Sequence, residues 1–258
     1  MQDVHAAALV DPRARLGEGV RVGPWSIVGP DVTLGDGVEI GPHVVVTGKT
    51  TIGPRTRLFP FAAVGGEPQD KSSAGEATEL LIGADNVIRE HVTIHAGTPR
   101  GGGATHVGDD NLIMNGSHIG HDCRVGSHCI LAAFTGLAGH VVVEDHVVLG
   151  GYTGVHQFAR IGESVMAAAN AKVSKDCVPF SLIAGDRARL VGVNVVGLRR
   201  RGFDPETVRA IRQAFHVLFH SKLRFETALA RVREEATGSP EVQRLVAFLE
   251  KSERGFTR

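Results

Sequence analysis

The sequence predicts a parallel β-helix, a triangular prism of very short strands, followed by a small α-helical domain. Three observations predict it. Aliphatic residues recur at every sixth position from Val4 to Ile161, with two pauses. A small or β-branched residue stands two places before most of them. Near residue 186 this register ends and helical spacing replaces it.

The register begins with Val4, Val10, Leu16, Val22, Val28, Leu34, Ile40, Val46, Ile52, Leu58 and Val64. It resumes at Ile82, Ile88 and Ile94, and again from Val107 through Ile113, Ile119, Val125, Leu131, Leu137, Val143, Leu149 and Val155 to Ile161. Side chains two apart in a strand share a face, so Val20, Ser26, Val32, Val38 and their equivalents point inward with the aliphatic residues. An amphipathic helix cannot generate a period of six. Six-residue segments bent three times per coil give an eighteen-residue turn, with successive coils about 4.8 Å apart. Glycine often follows the aliphatic residue, as at Gly17, Gly23, Gly29, Gly35, Gly41 and Gly53. There it is expected to ease the corner between strands.

Two polar, glycine-rich segments interrupt the repeat, Gly65–Leu80 and Gly97–His106, and are expected as loops leaving a coil corner. Loops on a rigid scaffold commonly carry function. The β-helix is assigned to residues 1–186 and the helical domain to 187–258. In the latter, Asp204-Pro205-Glu206 reads as a capped helix start. A second helix fits Phe225–Glu235, and a third opens at Ser239-Pro240-Glu241.

Lysine plus arginine and aspartate plus glutamate both total 28, but the charges are unevenly placed. Residues 1–186 carry 13 basic and 20 acidic groups, and residues 187–258 carry 15 and 8. A cationic tail suits an acidic partner, though a solvated helical face would look the same. No apolar run approaches a membrane span, and no signal-peptide pattern opens the chain. Cys123, Cys129 and Cys177 fall on inward small positions and read as packing residues, which fits a reducing cytoplasm.

Thirteen histidines invite over-reading. His5, His43, His106, His128 and His146 are expected simply to face solvent. The segment His118-Ile119-Gly120-His121-Asp122 differs, because it joins two histidines to a carboxylate. With an eighteen-residue coil, His121, Gly139 and Gln157 form one column, Asp122 stands below His140, and His156 lies beside them. An imidazole oriented by a carboxylate is the usual general base near neutral pH. A glycine amide above it can donate to an oxyanion. Zinc is the competing reading. It is disfavoured because residues three apart in an extended strand, such as His118 and His121, point to opposite faces.

Beyond this, the pieces TIHAGTPRGGG, DNLIMNGSHIGHDC, LAGHV, GGYTGVHQF and GVNVVGLRRRGF, in this order, resemble the UDP-N-acetylglucosamine O-acyltransferases of lipid A biosynthesis. The resemblance spans essentially the whole chain. These are hexapeptide-repeat acyltransferases, and the resemblance implies an all-β left-handed parallel β-helix with a helical C-terminal domain. It supplies the hand, which elementary rules would set the other way. It implies transfer of a 3-hydroxyacyl chain from acyl carrier protein to the 3-position of the UDP-sugar, in a cytoplasmic homotrimer with active sites between subunits. No bound cofactor, metal, nucleic acid or membrane span is implied; the donor is the carrier protein's phosphopantetheine thioester.

The same resemblance makes His121 the general base, Asp122 its orienting group and Gly139 the oxyanion donor. It puts His118 and His140 on the sugar and Gln69 and Asp70 on the substrate. His156, Gln157, Asn194, Arg200 and Arg201 would hold the nucleotide, its phosphates or the pantetheine arm. Ala169 would limit acyl length. Three departures stand out: Ser72 where the family has lysine (Lys71 lies one earlier), Ala96 where relatives carry arginine, and Val196 where glutamate is common. The other readings are a related N-acyltransferase acting on a 3-amino sugar nucleotide or glucosamine, a coenzyme A-dependent acetyltransferase, and a non-catalytic β-helix scaffold. The glucosamine N-acyltransferases carry a uridine-binding domain before the prism, and here the hexads begin at Val4. A scaffold has no need to align His121, Asp122 and His140.

Overall fold

A computed structural model describes residues 2–71 and 73–258. Its strands, mostly two residues long, stack in parallel into three sheets of eleven, nine and eight strands. Every third strand joins the same sheet, so the chain winds around a prism. We call the faces A, B and C, beginning with Asp3–Val4, Leu9–Val10 and Arg15–Leu16 respectively. As far as Val173 the register is eighteen residues wherever no loop intervenes: Val4 pairs with Val22, Val28 with Val46, Leu131 with Leu149.

The six-fold pattern maps directly onto burial. Leu34, Ile52, Ile88, Ile94, Ile119, Leu137 and Leu149 are almost wholly buried, with Val20, Val38, Val44, Val92 and Val147 two places before others in the stack. One continuous core runs the length of the prism. Cys123 and Cys129 take small inward positions as expected, and burial pushes both thiols up to about 12. Cys177 is buried too, but it pairs with Ile161 and so continues the aliphatic column. The repeat shortens there, because the chain is leaving the last complete coil.

The corner glycines do a different job from the one expected. Gly17, Gly23, Gly35, Gly41 and Gly53 do not have positive φ. Their need is proximity: a Cβ on Gly23 would stand 2.8 Å from the Gly41 carbonyl carbon, and one on Gly53 2.5 Å from that of Gly83. The left-handed corner residue is usually not glycine. Trp25, His43, Phe61, Asp122, His140 and Phe158 hold φ between 57° and 66°. Local strain of this kind persists only where packing over-determines it.

The excursions leave the corner between faces B and C in two consecutive coils, before Glu79–Ile82 and before Ala104–Val107. Both are shorter than expected. Leu80 with Ile82, and Thr105 with Val107, point inward, so these segments pair as four-residue strands instead of remaining loop. Ser72 lies outside the described residues.

After Lys172–Val173 the prism is closed by a hairpin: Ser181–Ala184 lies parallel to face A, and Arg189–Val193 returns antiparallel to it. Four helices follow: α1 (Val195–Arg200), α2 (Pro205–Phe215), α3 (Phe225–Glu235) and α4 (Pro240–Glu250). Asp204 caps α2 by accepting from the Thr207 amide at 2.8 Å, and Ser239 caps α4. The hairpin and α1 have no hexad or long amphipathic pattern to announce them. Phe180, Leu198, Ile211, Ala228 and Leu245 form a second core between the helices and the end of the prism. No helix among the described residues is long and apolar enough to cross a membrane.

Candidate active site

His118 is the outward residue of a face-B strand, and its register neighbours are Thr93 below and Gly136, Gly154 and Lys172 above. A Cβ on Gly136 or Gly154 would meet no atom within 4 Å, so the two glycines leave an open trough between His118 and Lys172. This trough is a cleft of about 860 Å³, lined by Gln69, His118, His121, Gly139, His156 and Gln157 among others.

The next corner turns His121 and Asp122 toward each other. His121 Nδ1 lies 2.7 Å from Asp122 Oδ2. A carboxylate only accepts, so Nδ1 donates, and in the neutral imidazole the lone pair is on Nε2. The Asp122 side chain is wholly buried and the His121 ring mostly so. His121 and Asp122 sit one coil below Gly139 and His140, whose amide donates to the His121 carbonyl at 2.9 Å. His140 Nε2 is 3.6 Å from Asp122 Oδ2, and its ring stacks on Phe158 at 4.4 Å.

Strand alternation does not separate His118 from His121, contrary to the expectation. The chain bends after Ile119, so both rings enter the same cleft. Ligand atoms of His121, Asp122 and His140 lie within 4.8 Å of one another, close enough to grip one ion. Asp122, however, already accepts from His121 and twice from Thr98.

His118 Nδ1 is 2.8 Å from the Thr93 hydroxyl. Burial, reinforced by His95 and His121, holds its pKa below the usual 6.5, so it is neutral at neutral pH. His95 packs against His118 at 5.3 Å and donates from Nδ1 to the Glu67 carbonyl at 2.6 Å. Sequence reasoning passed over His95, although it stands in the motif TIHAGTPRGGG. His156 has an unforeseen partner: Arg254 Nη2 stands 2.9 Å from its Nδ1. The same Nδ1 also lies 3.1 Å from the Gln157 carbonyl.

Other expected site residues lie elsewhere. Gln69 reaches the cleft, while its neighbour Asp70 is partly buried and outside the lining. Asn194, Arg200 and Arg201 line a second cavity of about 530 Å³ on another side of the prism, together with His128, His146, Ser164 and Val196. His128 and His146 are stacked at 4.7 Å in its wall, so they are more than surface histidines. Asn194 caps α1 through the Gly197 amide and donates to the Ser164 carbonyl. Arg201 pairs with Glu163 at 2.8 Å and with the Ser164 hydroxyl, whereas Arg200 is exposed. Ala169 is exposed at the corner between faces A and B, across face B from His121. The same corner carries exposed stacked rings, Trp25–His43–Phe61–His91 and Phe134–Tyr152, so His43 too has a packing role.

Comparison with known proteins agrees along the whole chain. Residues 13–48 and 104–139 match the bacterial transferase hexapeptide family, and residues 176–257 match domain 2 of UDP-N-acetylglucosamine O-acyltransferase. The chain is 52% identical to the acyl-[acyl-carrier-protein]–UDP-N-acetylglucosamine O-acyltransferase of Alkalilimnicola ehrlichii over all of both chains. It is 50% identical to that of Myxococcus xanthus, again over the full length of each. Among solved structures, LpxA from Acinetobacter baumannii superposes with a TM-score of 0.96 at 41% identity, covering 99% of each chain. The coil is therefore the left-handed parallel β-helix.

Proposed function

Because the chain belongs to the UDP-N-acetylglucosamine O-acyltransferase family, we propose that it acylates the 3-position of UDP-N-acetylglucosamine with a 3-hydroxyacyl chain from acyl carrier protein, using His121 as general base. This is the first step of lipid A biosynthesis. The observation that carries the mechanism is the 2.7 Å contact from His121 Nδ1 to Asp122 Oδ2, which puts the lone pair of the neutral imidazole on Nε2, beside Gly139.

His121 Nε2 takes the proton of the sugar 3-hydroxyl as that oxygen attacks the thioester carbonyl. Charge builds on the carbonyl oxygen, and the Gly139 amide donates to it. Collapse of the tetrahedral intermediate breaks the carbon–sulfur bond. The imidazolium returns its proton to the departing pantetheine thiolate, so the products are the 3-O-acyl sugar nucleotide and the carrier-protein thiol. His118, which is neutral, and His140 contact the sugar, and Gln69 completes its pocket with Asp70 next to it in the chain, outside the cleft lining. General-base assistance is worth roughly a hundredfold to ten-thousandfold, and an oxyanion donor about a hundredfold or more.

Asn194, Arg200 and Arg201 line a cavity that opens on a different side of the prism from His121. A homotrimer supports both observations: face B of one subunit meets the second cavity of the next, so Arg200 reaches the pyrophosphate from the neighbour. The corner between faces A and B, with Trp25, Phe61, Phe134 and Tyr152 exposed, then lies toward the threefold axis. The cationic C-terminal domain attracts the acidic carrier protein.

The test is acyl transfer by purified protein from a ladder of 3-hydroxyacyl carrier proteins, with UDP-N-acetylglucosamine and its 3-amino analogue offered separately. The hydroxyl acceptor is expected to be consumed, and His121→Ala to lose roughly a hundredfold to ten-thousandfold while remaining folded. Activity of His121→Ala within a few-fold of the parent would remove His121 from the mechanism.

A further inference from the structure

The second excursion folds back onto the catalytic corner. Residues Pro99–Gly101 make one 3₁₀ turn capped by Thr98. Thr98 grips both oxygens of the Asp122 carboxylate, its amide donating to Oδ1 and its hydroxyl to Oδ2, each at 2.7 Å. The hydroxyl in turn accepts from the Gly101 amide at 3.1 Å, which turns its single proton toward Asp122. Behind the carboxylate, the Asp122 amide donates to the Thr105 hydroxyl at 2.8 Å. Gly101 is pressed against the same group: a Cβ there would stand 2.0 Å from Asp122 Cγ.

We propose that Thr98 is a positioning residue for the acyl transfer, fixing the Asp122 carboxylate so that its Oδ2 meets the His121 Nδ1 proton. A lone His–carboxylate contact leaves the carboxylate free to rotate about its terminal torsion. Two donors from one residue, one on each oxygen, remove that freedom. The hydroxyl also withdraws charge from Oδ2, the oxygen that His121 uses, and so sets how strongly Asp122 holds the imidazolium. The loop therefore acts on the base from outside the substrate cleft, whose lining does not include Thr98. This rests on the reading of His121 as the base.

Thr98→Val keeps the shape and the backbone donor but removes the hydroxyl; Thr98→Ser restores it. The steady-state parameters of both are compared with the parent across pH. Thr98→Val is expected to lower kcat about tenfold, the scale of one hydrogen bond to a charged group, with KM for both substrates within twofold. Its acidic limb in the kcat/KM profile moves to higher pH, because an Oδ2 with one donor fewer stabilises the imidazolium more. Thr98→Ser returns to within twofold of the parent in kcat and in the position of that limb. Gly101→Ala, made separately, is expected to lower kcat without raising KM, since its methyl displaces Asp122. An unshifted profile with kcat within twofold in Thr98→Val overturns the proposal, as does a Thr98→Ser loss equal to that of valine. If His121→Ala stays active, the general-base reading fails. If His121→Ala is inactive and Thr98→Val behaves as the parent, only the role of Thr98 fails.

Discussion

The imidazole of His121 lies so close over Gly139 that a side-chain carbon at 139 would stand 2.6 Å from Nε2 and 2.5 Å from Cε1. Gly139 has an ordinary backbone and no turn that demands glycine, so the ring itself forbids a side chain. Gly139→Ala is therefore expected to push the base off its line of attack and cut kcat about a hundredfold, as small misplacements of a reacting group do. Its thermal midpoint should fall little, because the methyl points at a partly exposed ring and away from the core. Loss of kcat matched by a collapse in the midpoint would place the effect in folding instead.

Sites assembled between subunits make a quantitative prediction. In the proposed trimer, His121→Ala damages the face-B half of a site, and Arg200→Ala the half contributed by the neighbour. When the two variants are co-expressed and mix at random, half of all face-B contributions and half of all neighbouring contributions are intact. Recovery of about a quarter of parental activity is expected over the whole randomly mixed population, beyond the sum of the separate variants. Sites contained within one chain would give no such recovery.

Much of the fold and the site is legible in the sequence. The hexads mark the core, and the eighteen-residue spacing alone places His121 beneath Gly139 and Asp122 beneath His140. What the repeat does not carry is anything created by its interruptions. Thr98 meets Asp122 from 24 positions away in the chain, and Arg254 meets His156 from 98. Neither separation is a multiple of the coil. The reading of the glycines failed for a related reason. Glycine reports either a positive φ or a close neighbour, and only coordinates show that Gly23 faces the backbone of Gly41. The rule of alternating faces failed at His121 because it holds along a strand, and these strands end after two residues.

His118 ties stability to pH. Burial lowers its pKa in the folded protein below the ordinary 6.5, with His95 and His121 adding to the effect. Above 6.5 both states are neutral and this group costs nothing. As pH falls below 6.5, the unfolded chain binds a proton that folded His118 refuses, so the folded state loses ground until pH passes the lowered value. The thermal midpoint of the parent should therefore decline as pH falls from about 6.5 toward the lowered value. His118→Gln, which keeps a polar group near Thr93, should show a shallower decline over that interval. Equal slopes would mean that other groups govern the acid sensitivity.

Ala169 is the expected limit on acyl length. From His121, face B carries Gly136 and Gly154, and Ala169 stands at the opposite corner three coils further on, outside the lining of the cleft in the single chain. At about 4.8 Å per coil that is about 14 Å along the prism, the scale of an acyl chain. Ala133 and Gly151 stand below Ala169 in the same column, beside the stacked Phe134 and Tyr152, and a Cβ on Gly150 would meet the Ala169 amide at 2.5 Å. The simpler account is that Ala167, Ala168 and Ala169 only allow tight stacking of coils. Burial separates the two. Ala167 is wholly buried and serves the stack, but Ala169 is exposed in the single chain and offers its methyl to whatever lies on face B. A close-packed groove has no spare volume, so one methyl group, worth about 0.8 kcal/mol when buried, is felt by the end of the chain. Ala169→Gly should shift the optimum toward longer 3-hydroxyacyl donors and Ala169→Met toward shorter ones, measured as kcat/KM across the donor ladder. A profile unchanged in both variants would put the end of the groove at another residue.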